Sequence, residues 1–225
     1  MAVEPVRRVK VWDGWIRLVH WGTVALVVIS WAAMETGNAE VHYVSGYAVL
    51  TLLLFRIAWG VAGSDTARFS RFLRSPAAAF RHLAHLRRRE PDTEIGHNAA
   101  GGWMVLVLLG LLLVVAVSGL FANHEPGMTY DVHGPLALTV SDATSAWLTG
   151  VHHLAFNLLL AAAGLHVLAV AAYLVLKGHD LVGPMLTGFK SLPARLAPPR
   201  MGSPVLAAAF LTAAALAVWG ITRLG

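Results

Sequence analysis

VHHLAFNLLLAAAGLHVLAVAAYLVLK, residues Val151–Lys177, is a long apolar run that contains two histidines, His152 and His166. The two histidines are fourteen positions apart, which is just under four turns of an α-helix, so both imidazoles lie on nearly one face. Their separation along the helix axis is about 21 Å, most of the roughly 30 Å thickness of a hydrocarbon core. One helix can therefore present a ligand at each of two depths of a membrane.

The composition is that of a helical integral membrane protein. Hydrophobic residues make up 57% of the 225 residues and charged residues 13%, which excludes an ordinary soluble domain. A net charge of +5 would suggest nucleic acid as the partner of a soluble protein. Here the basic residues fall in loops, where they set membrane topology. We therefore expect contact with membrane lipid and none with nucleic acid.

The absence of cysteine narrows the redox chemistry of the chain. It excludes disulfides, thiolate-held iron–sulfur clusters, thiolate-ligated haem and covalent attachment of haem through C-x-x-C-H. Any haem must then be held non-covalently, by histidine or methionine.

Five apolar segments are long enough to cross a bilayer as helices, which takes about 20 residues. They cover roughly residues 15–34, 41–63, 102–122, 151–176 and 204–221. Between the second and third spans, we expect short helices lying on the inner leaflet. Asp65 would cap the first, and Ser75-Pro76 would begin another that ends near Arg89. The alternative for this segment is a docking surface for a cytoplasmic partner.

Loop charge predicts the orientation of the chain. Basic residues concentrate between spans two and three and after span four, whereas loop 123–150 contains Glu125, Asp131 and Asp142 but no lysine or arginine. The positive-inside rule then places the N-terminus in the cytoplasm and the C-terminus outside. Arg223 is the exception, since it falls on the outer side.

Four histidines fall at two matched depths of the predicted spans. His42 and His152 lie at outer ends, and His20 and His166 lie in inner halves, each pair drawing on different helices. A haem iron takes two axial ligands on opposite faces of its ring, so two bis-histidine haems fit these residues. The alternative is that the histidines are interfacial residues in contact with headgroups. His153 points about 100° away from His152, so the two cannot share one role. Either could be the ligand from sequence alone, and the fourteen-residue spacing to His166 favours His152.

Arg56 lies inside span two, fourteen residues after His42, and therefore near the inner pair. A buried arginine needs an anion, and a haem propionate is the natural candidate. The alternative is an arginine that extends to the inner headgroups.

Several motifs together resemble the bacterial cytochrome b561 family, which includes the cytochrome b subunits of nickel–iron hydrogenases. They are VWDGWIRLVHW (Val11–Trp21), VHYVSGY (Val41–Tyr47), FRIAWGVAG (Phe55–Gly63), IGHNAAGGWMVL (Ile95–Leu106) and HHLAFNLLLAAAGLH (His152–His166). The resemblance implies a four-helix transmembrane bundle with two b haems, axial ligands at His20, His42, His152 and His166, and electron exchange with membrane quinone. It covers residues 1–190, so the connector and fifth helix in residues 191–225 lie beyond the shared core.

These observations predict a di-haem b-type cytochrome that transfers single electrons between quinone and a redox partner. The acidic outer loop favours a basic periplasmic cytochrome c, and a membrane oxidoreductase subunit is the other expected partner. With both axial positions filled, no separate catalytic residues are expected. One alternative function is superoxide:quinone oxidoreductase activity, which would need a positive outer funnel. Another is a non-redox transporter that uses the histidines, for which the spans contain few polar residues.

Overall fold

The computed structural model describes residues 5–86, 88, 90–123 and 133–224, and most of these residues are helical. In chain order the elements are β1 (Val6–Lys10), α1 (Gly14–Glu35), α2 (Ala39–Ala62), α3 (Phe69–Phe72), α4 (Pro76–Ala84), α5 (Ala99–Leu120), a 3-10 turn (Ala137–Thr139), α6 (Asp142–Ala172) with a π-helical turn (Tyr173–Lys177), α7 (Val182–Thr187), β2 (Phe189–Pro193) and α8 (Pro204–Ile221). Five helices, α1, α2, α5, α6 and α8, are long and apolar enough to cross a membrane. The prediction of a helical membrane protein with five apolar spans is therefore confirmed for the described residues, whereas the strand pair β1–β2 departs from a purely α-helical (all-α) fold.

A tight turn joins α1 to α2. Gly37 has a φ of 71°, which glycine adopts without strain, and the Asn38 N–H donates to the Ala33 carbonyl at 2.7 Å. The Asn38 side chain accepts the Val41 N–H at 3.1 Å and caps the start of α2. Because one helix ends and the next begins within a few residues, the last turns of α1 lie beside the first turns of α2.

Helix α6 extends nine residues beyond the predicted fourth span, because it begins at Asp142 rather than near Val151. The Ser141 hydroxyl accepts the Thr144 N–H at 3.2 Å, which makes Ser141 the cap, and Asp142 complements the helix dipole. The sequence analysis placed Asp142 in a loop, since a polar turn of helix outside the hydrocarbon has no hydropathy signal.

The chain divides into two compact units, each assembled from three segments. Unit 1 comprises Met1–Leu18, Arg56–Val107 and Ala163–Ala207, and unit 2 comprises Val19–Phe55, Leu108–Ala162 and Ala208–Gly225. In unit 2 a cluster of Leu50, Leu120 and Val218 packs α8 together with α2 and α5.

An antiparallel strand pair, which the sequence analysis did not predict, ties the N-terminus to the segment after α7 in unit 1. Strand β1 pairs with β2, with Val6 opposite Pro193 and Lys10 opposite Phe189. The Arg7 guanidinium donates to the Leu196 carbonyl at 2.6 Å and extends the contact into the connector. This pairing is long-range, and a single short strand such as VRRVK does not reveal its partner.

The helix-cap predictions for Ser75 and for Asp65 have different outcomes. Ser75 accepts the Ala78 N–H at 3.3 Å and caps α4, as predicted. Asp65 does not cap α3: its carboxylate accepts the Arg200 backbone N–H at 3.1 Å, so that prediction was wrong. The sequence analysis placed Asp65 at the start of a helix, but its carboxylate instead accepts a hydrogen bond from a backbone N–H that is far away in the chain.

Helix α4 ends at Ala84, several residues before the predicted end near Arg89. Arg87 and Arg89 lie outside the described residues.

The buried Trp59 indole is central to unit 1. Its side chain is 0% exposed, and its Nε1 donates to Asp13 Oδ2 at 3.1 Å. Asp13 Oδ1 accepts the Ile16 N–H at 2.8 Å, so one carboxylate caps α1 and holds the indole. A Cβ on Gly202 would lie 2.6 Å from the Trp59 ring, so only glycine fits there.

We predict that Asp13→Ala lowers the free energy of unfolding by about 2–4 kcal/mol, because it removes a helix cap and leaves a buried indole N–H without an acceptor. Thermal unfolding in detergent, followed by circular dichroism, measures the loss. Asp180→Ala is the control: Asp180 also caps a helix, α7, but its side chain is exposed, so the expected loss is about 1 kcal/mol or less. Equal losses in the two variants would contradict this role of Asp13.

Candidate functional site

The structure brings His42 of α2 and His152 of α6 together within unit 2. Their ring centroids are 6.2 Å apart and the ring planes are inclined by 79°. A metal–imidazole bond is about 2 Å long and the ring centre lies about 1 Å behind the ligating nitrogen, so two imidazoles across one iron have centroids roughly 6 Å apart. The spacing of the two rings therefore suits axial ligands on opposite sides of a single haem iron.

Hydrogen bonds to backbone carbonyls fix the tautomers of both rings. His42 Nδ1 lies 3.0 Å from the Ser30 carbonyl oxygen, and His152 Nδ1 lies 2.8 Å from the Val115 carbonyl oxygen. Because a carbonyl oxygen can only accept, each Nδ1 must be the protonated nitrogen. Each Nε2 then carries the lone pair that binds a metal, which is the usual arrangement of metal-ligating histidines. The donor set consists of two neutral imidazoles and fits a b-type haem.

Gly119 of α5 provides the space for the His152 ring. A Cβ at this position would lie 2.9 Å from His152 Cε1 and 3.0 Å from Nδ1, closer than real contacts of this kind. The absence of a side chain lets the imidazole approach α5 closely enough to reach the Val115 carbonyl.

His153 is exposed, and its ring is inclined by 60° to that of His152 at a centroid distance of 5.9 Å. It is His152, as the fourteen-residue spacing suggested, that lies against His42.

The inner pair of the sequence analysis is divided between the two units. His20 lies in unit 2, half-buried, with its ring edge-to-face against Trp21 at 4.7 Å. His166 lies in unit 1 and is also half-buried. Both residues are on spanning helices, α1 and α6.

Arg56 is buried in unit 1, with 6% of its surface exposed. Its Nη1 donates to the Ala67 carbonyl at 3.3 Å, and its guanidinium carbon lies 5.0 Å from the centre of the Phe69 ring. The carboxylate of Asp13, itself 6% exposed, interacts electrostatically with this charge. A protein anion, which the sequence analysis did not foresee, thus offsets part of the cost of burying the guanidinium.

Unit 1 also contains a polar cavity of about 140 Å³ next to the π-helical turn of α6. Lining residues include His82, Asp92, Tyr173, Lys177, His179 and Lys190. Asp92 accepts from Lys190 Nζ at 2.7 Å and lies 3.6 Å from His179. This pairing neutralises one side of the cavity.

On the other side of this cavity, the rings of His82 and Tyr173 stack at 5.8 Å, and Tyr173 is 5% exposed. His82 Nε2 is buried and has no hydrogen-bond partner among the described residues. The pKa of His82 lies below its usual value, chiefly because of burial and then because of the Lys177 charge. Its imidazole is therefore a neutral hydrogen-bonding group at pH 7.

A family model described as prokaryotic cytochrome b561 matches residues 11–188. The chain belongs to the prokaryotic cytochrome b561 family. It is a multi-pass membrane cytochrome of electron transport that binds b-type haem, as the motifs in the sequence predict. Comparisons with curated proteins and with solved structures found no match.

Four groups of this cytochrome, in addition to the histidines, were not found from the sequence: the Ser30 and Val115 carbonyls, Gly119 and Asp13. The Ser30 and Val115 carbonyls are backbone atoms and leave no signal in residue identity. Gly119 is one of 21 glycines, and only the approach of the His152 ring distinguishes it. Asp13 was within reach, because Asp-Gly before an apolar run is a helix-start signal.

We predict that Gly119→Ala displaces the His152 imidazole and lowers haem content at the outer site at least severalfold, since the added Cβ overlaps the ring. Pyridine haemochrome assay of the purified protein measures the content. Gly110→Ala on the same helix is the matched control, because a Cβ there meets nothing within 4 Å. Full haem content in Gly119→Ala, or equal loss in both variants, would refute this role of Gly119.

Proposed function

We propose that this cytochrome carries single electrons through the membrane between quinone and a redox partner, by way of two b haems. The observation that carries the proposal is the opposed pair of His42 and His152, with both Nε2 lone pairs available to one iron. Bound haem supplies one-electron redox chemistry at this pair. Because His42 and His152 would both bind the iron, the site suits electron transfer rather than binding of oxygen.

The second haem is assigned to His20 and His166. The support is the fourteen-residue spacing of His152 and His166 on one helix, together with a histidine at matching depth on α1. Arg56, fourteen residues after His42, is proposed to pair one of the haem propionates with the guanidinium donors that Ala67 does not use. Asp13 would then share the charge of Arg56.

We place the N-terminus in the cytoplasm and the C-terminus in the periplasm of a bacterial inner membrane. The lysines and arginines concentrate before the first span, between the second and third spans and after the fourth, and Arg223 is the exception. The five candidate spans among the described residues are an odd number, which supports termini on opposite sides of the membrane. This distribution is what the positive-inside rule requires.

The periplasmic partner is proposed to be basic. Glu35, Glu40 and Asp142 are exposed in unit 2, and the Arg223 guanidinium lies over the Trp219 ring at 5.3 Å. Carboxylates of this kind steer a cytochrome c or a basic membrane oxidoreductase subunit. Glu125 and Asp131, on which the sequence argument also relied, lie outside the described residues.

We propose that residues 1–190 form the di-haem domain and that residues 191–225 form the connector and the fifth helix. In that division α8 anchors the chain or packs against the partner.

The polar cavity of unit 1 is the proposed site for the quinone headgroup. The Tyr173 hydroxyl can donate to a quinone carbonyl, and His82 Nε2 can accept the proton of a quinol hydroxyl. Quinol oxidation releases two protons and two electrons: His82 would take the first proton, the second would pass to solvent, and the electrons would leave one at a time to haem. The ion pair of Lys190 and Asp92 keeps the cavity polar.

We predict that His42→Ala and His152→Ala each remove the same haem, and that His20→Ala and His166→Ala each remove the other. Each of these histidines would supply one of the two nitrogens that hold a haem, so its removal would weaken haem binding. Reduced-minus-oxidised spectra with haem quantification give the answer, and His153→Ala is the control that keeps both haems. A variant series in which the four histidines do not fall into these two pairs would contradict the assignment.

We predict that Tyr173→Phe and His82→Gln slow haem reduction by a short-chain quinol at least tenfold and leave reduction by dithionite unchanged. His82 must be neutral to accept a proton, and its pKa is lowered from about 6.5. The wild-type rate should therefore fall only as pH drops below that value, and His82→Gln should lose this step. Stopped-flow spectroscopy measures both the reduction rates of the variants and the pH dependence of the rate.

Tyr47→Phe in unit 2 is the matched control for Tyr173→Phe and should reduce at the wild-type rate. Unchanged quinol kinetics in Tyr173→Phe and His82→Gln would rule out this cavity as the quinone site.

A further inference from the structure

The Ser30 hydroxyl of α1 reaches across to α2 and contacts His42 twice. Ser30 Oγ lies 2.9 Å from His42 Nδ1 and 3.4 Å from the His42 carbonyl oxygen. Because His42 Nδ1 carries the proton, Oγ accepts from Nδ1–H and is left to donate its own proton to the His42 carbonyl. The hydroxyl therefore ties the ring of His42 to its own backbone.

Three other hydroxyls in the spanning helices bond within their own helices, and a fourth, that of Ser145, donates to the Phe121 carbonyl at 2.7 Å without touching a histidine. Ser45, Thr51 and Ser118 donate to carbonyls of their own helices, at 2.6, 2.9 and 2.6 Å. That is the ordinary way for a serine or threonine to satisfy its hydroxyl in an apolar helix. The contact of Ser30 with a neighbouring helix, at the nitrogen opposite the ligating one, is a different arrangement.

The two rings of the outer pair are held unequally. Among the described residues, His152 Nδ1–H donates to one acceptor, the Val115 carbonyl, whereas His42 Nδ1–H is shared between the Ser30 carbonyl and the Ser30 hydroxyl. Acceptors at Nδ1–H make the imidazole more basic and so a stronger donor to iron. A stronger donor stabilises the ferric state and lowers the reduction potential.

We propose that Ser30 is a positioning residue for the outer haem, whose hydroxyl orients the His42 imidazole and lowers the potential of the haem bound there. This inference rests on the proposed ligation of haem by His42. The Ser30 carbonyl is part of the backbone and remains in any variant, so the tautomer of His42 is kept while the hydroxyl is removed.

The experiment is a redox titration of the full-length holoprotein in Ser30→Ala, Ser30→Thr and Thr51→Ala, with the two haems resolved spectroscopically. In Ser30→Ala the ratio of reduced to oxidised outer haem at a fixed potential should rise at least threefold, which is roughly 30 mV for a one-electron couple. The inner haem should not change. Ser30→Thr, which keeps a hydroxyl, should restore most of the wild-type potential. Thr51→Ala should have the same potential as the wild type.

Loss of the outer haem in Ser30→Ala with its return in Ser30→Thr would also support the proposal. An unchanged outer potential in Ser30→Ala, or loss of the outer haem in both Ser30 variants, would overturn it. If His42→Ala retained both haems, the assignment of His42 itself would fail, and that outcome is distinct from an unchanged potential in Ser30→Ala.

Discussion

The outer site of this cytochrome depends on two imidazoles, those of His42 and His152, whose ring centroids have the spacing that two ligands of a single iron would have. A centroid distance of 6.2 Å leaves room for a metal and its two bonds. The rings stay in this position because the backbone of a neighbouring helix, α1 at Ser30 and α5 at Val115, accepts each Nδ1–H. In an apolar interior such hydrogen bonds have no competing water, so they determine ring orientation strongly.

The local structure around the pair follows from helix ends and small residues. The turn at Gly37 and Asn38 sets Ser30 beside His42, and Gly119 allows the His152 ring to approach α5. In unit 1, Asp13 serves α1, the Trp59 indole and the charge of Arg56 at once. A single buried carboxylate with several partners is costly to remove but satisfies groups that would otherwise be unpaired in a medium of low dielectric.

Much of this could be predicted from the sequence. Apolar runs gave the five spans, and the period of the α-helix placed His152 and His166 on one face. The long helix α6 was underestimated because its first residues, from Asp142 onward, are polar, and hydropathy does not distinguish a polar turn of helix from a loop. The pairing of β1 with β2 and the contact of Asp65 with Arg200 join residues far apart in the chain, for which no local pattern exists. The acceptors at Ser30 and Val115 are main-chain atoms, which every residue has.

Electron paramagnetic resonance of the oxidised holoprotein tests the facing pair most directly, because the low-spin ferric signal depends on the angle between the axial imidazole planes. An interplanar angle of 79° at His42 and His152 predicts a strongly anisotropic low-spin signal. That signal should be absent from the His152→Ala protein. A high-spin ferric signal, or only the rhombic signal of parallel imidazole planes, would contradict the account.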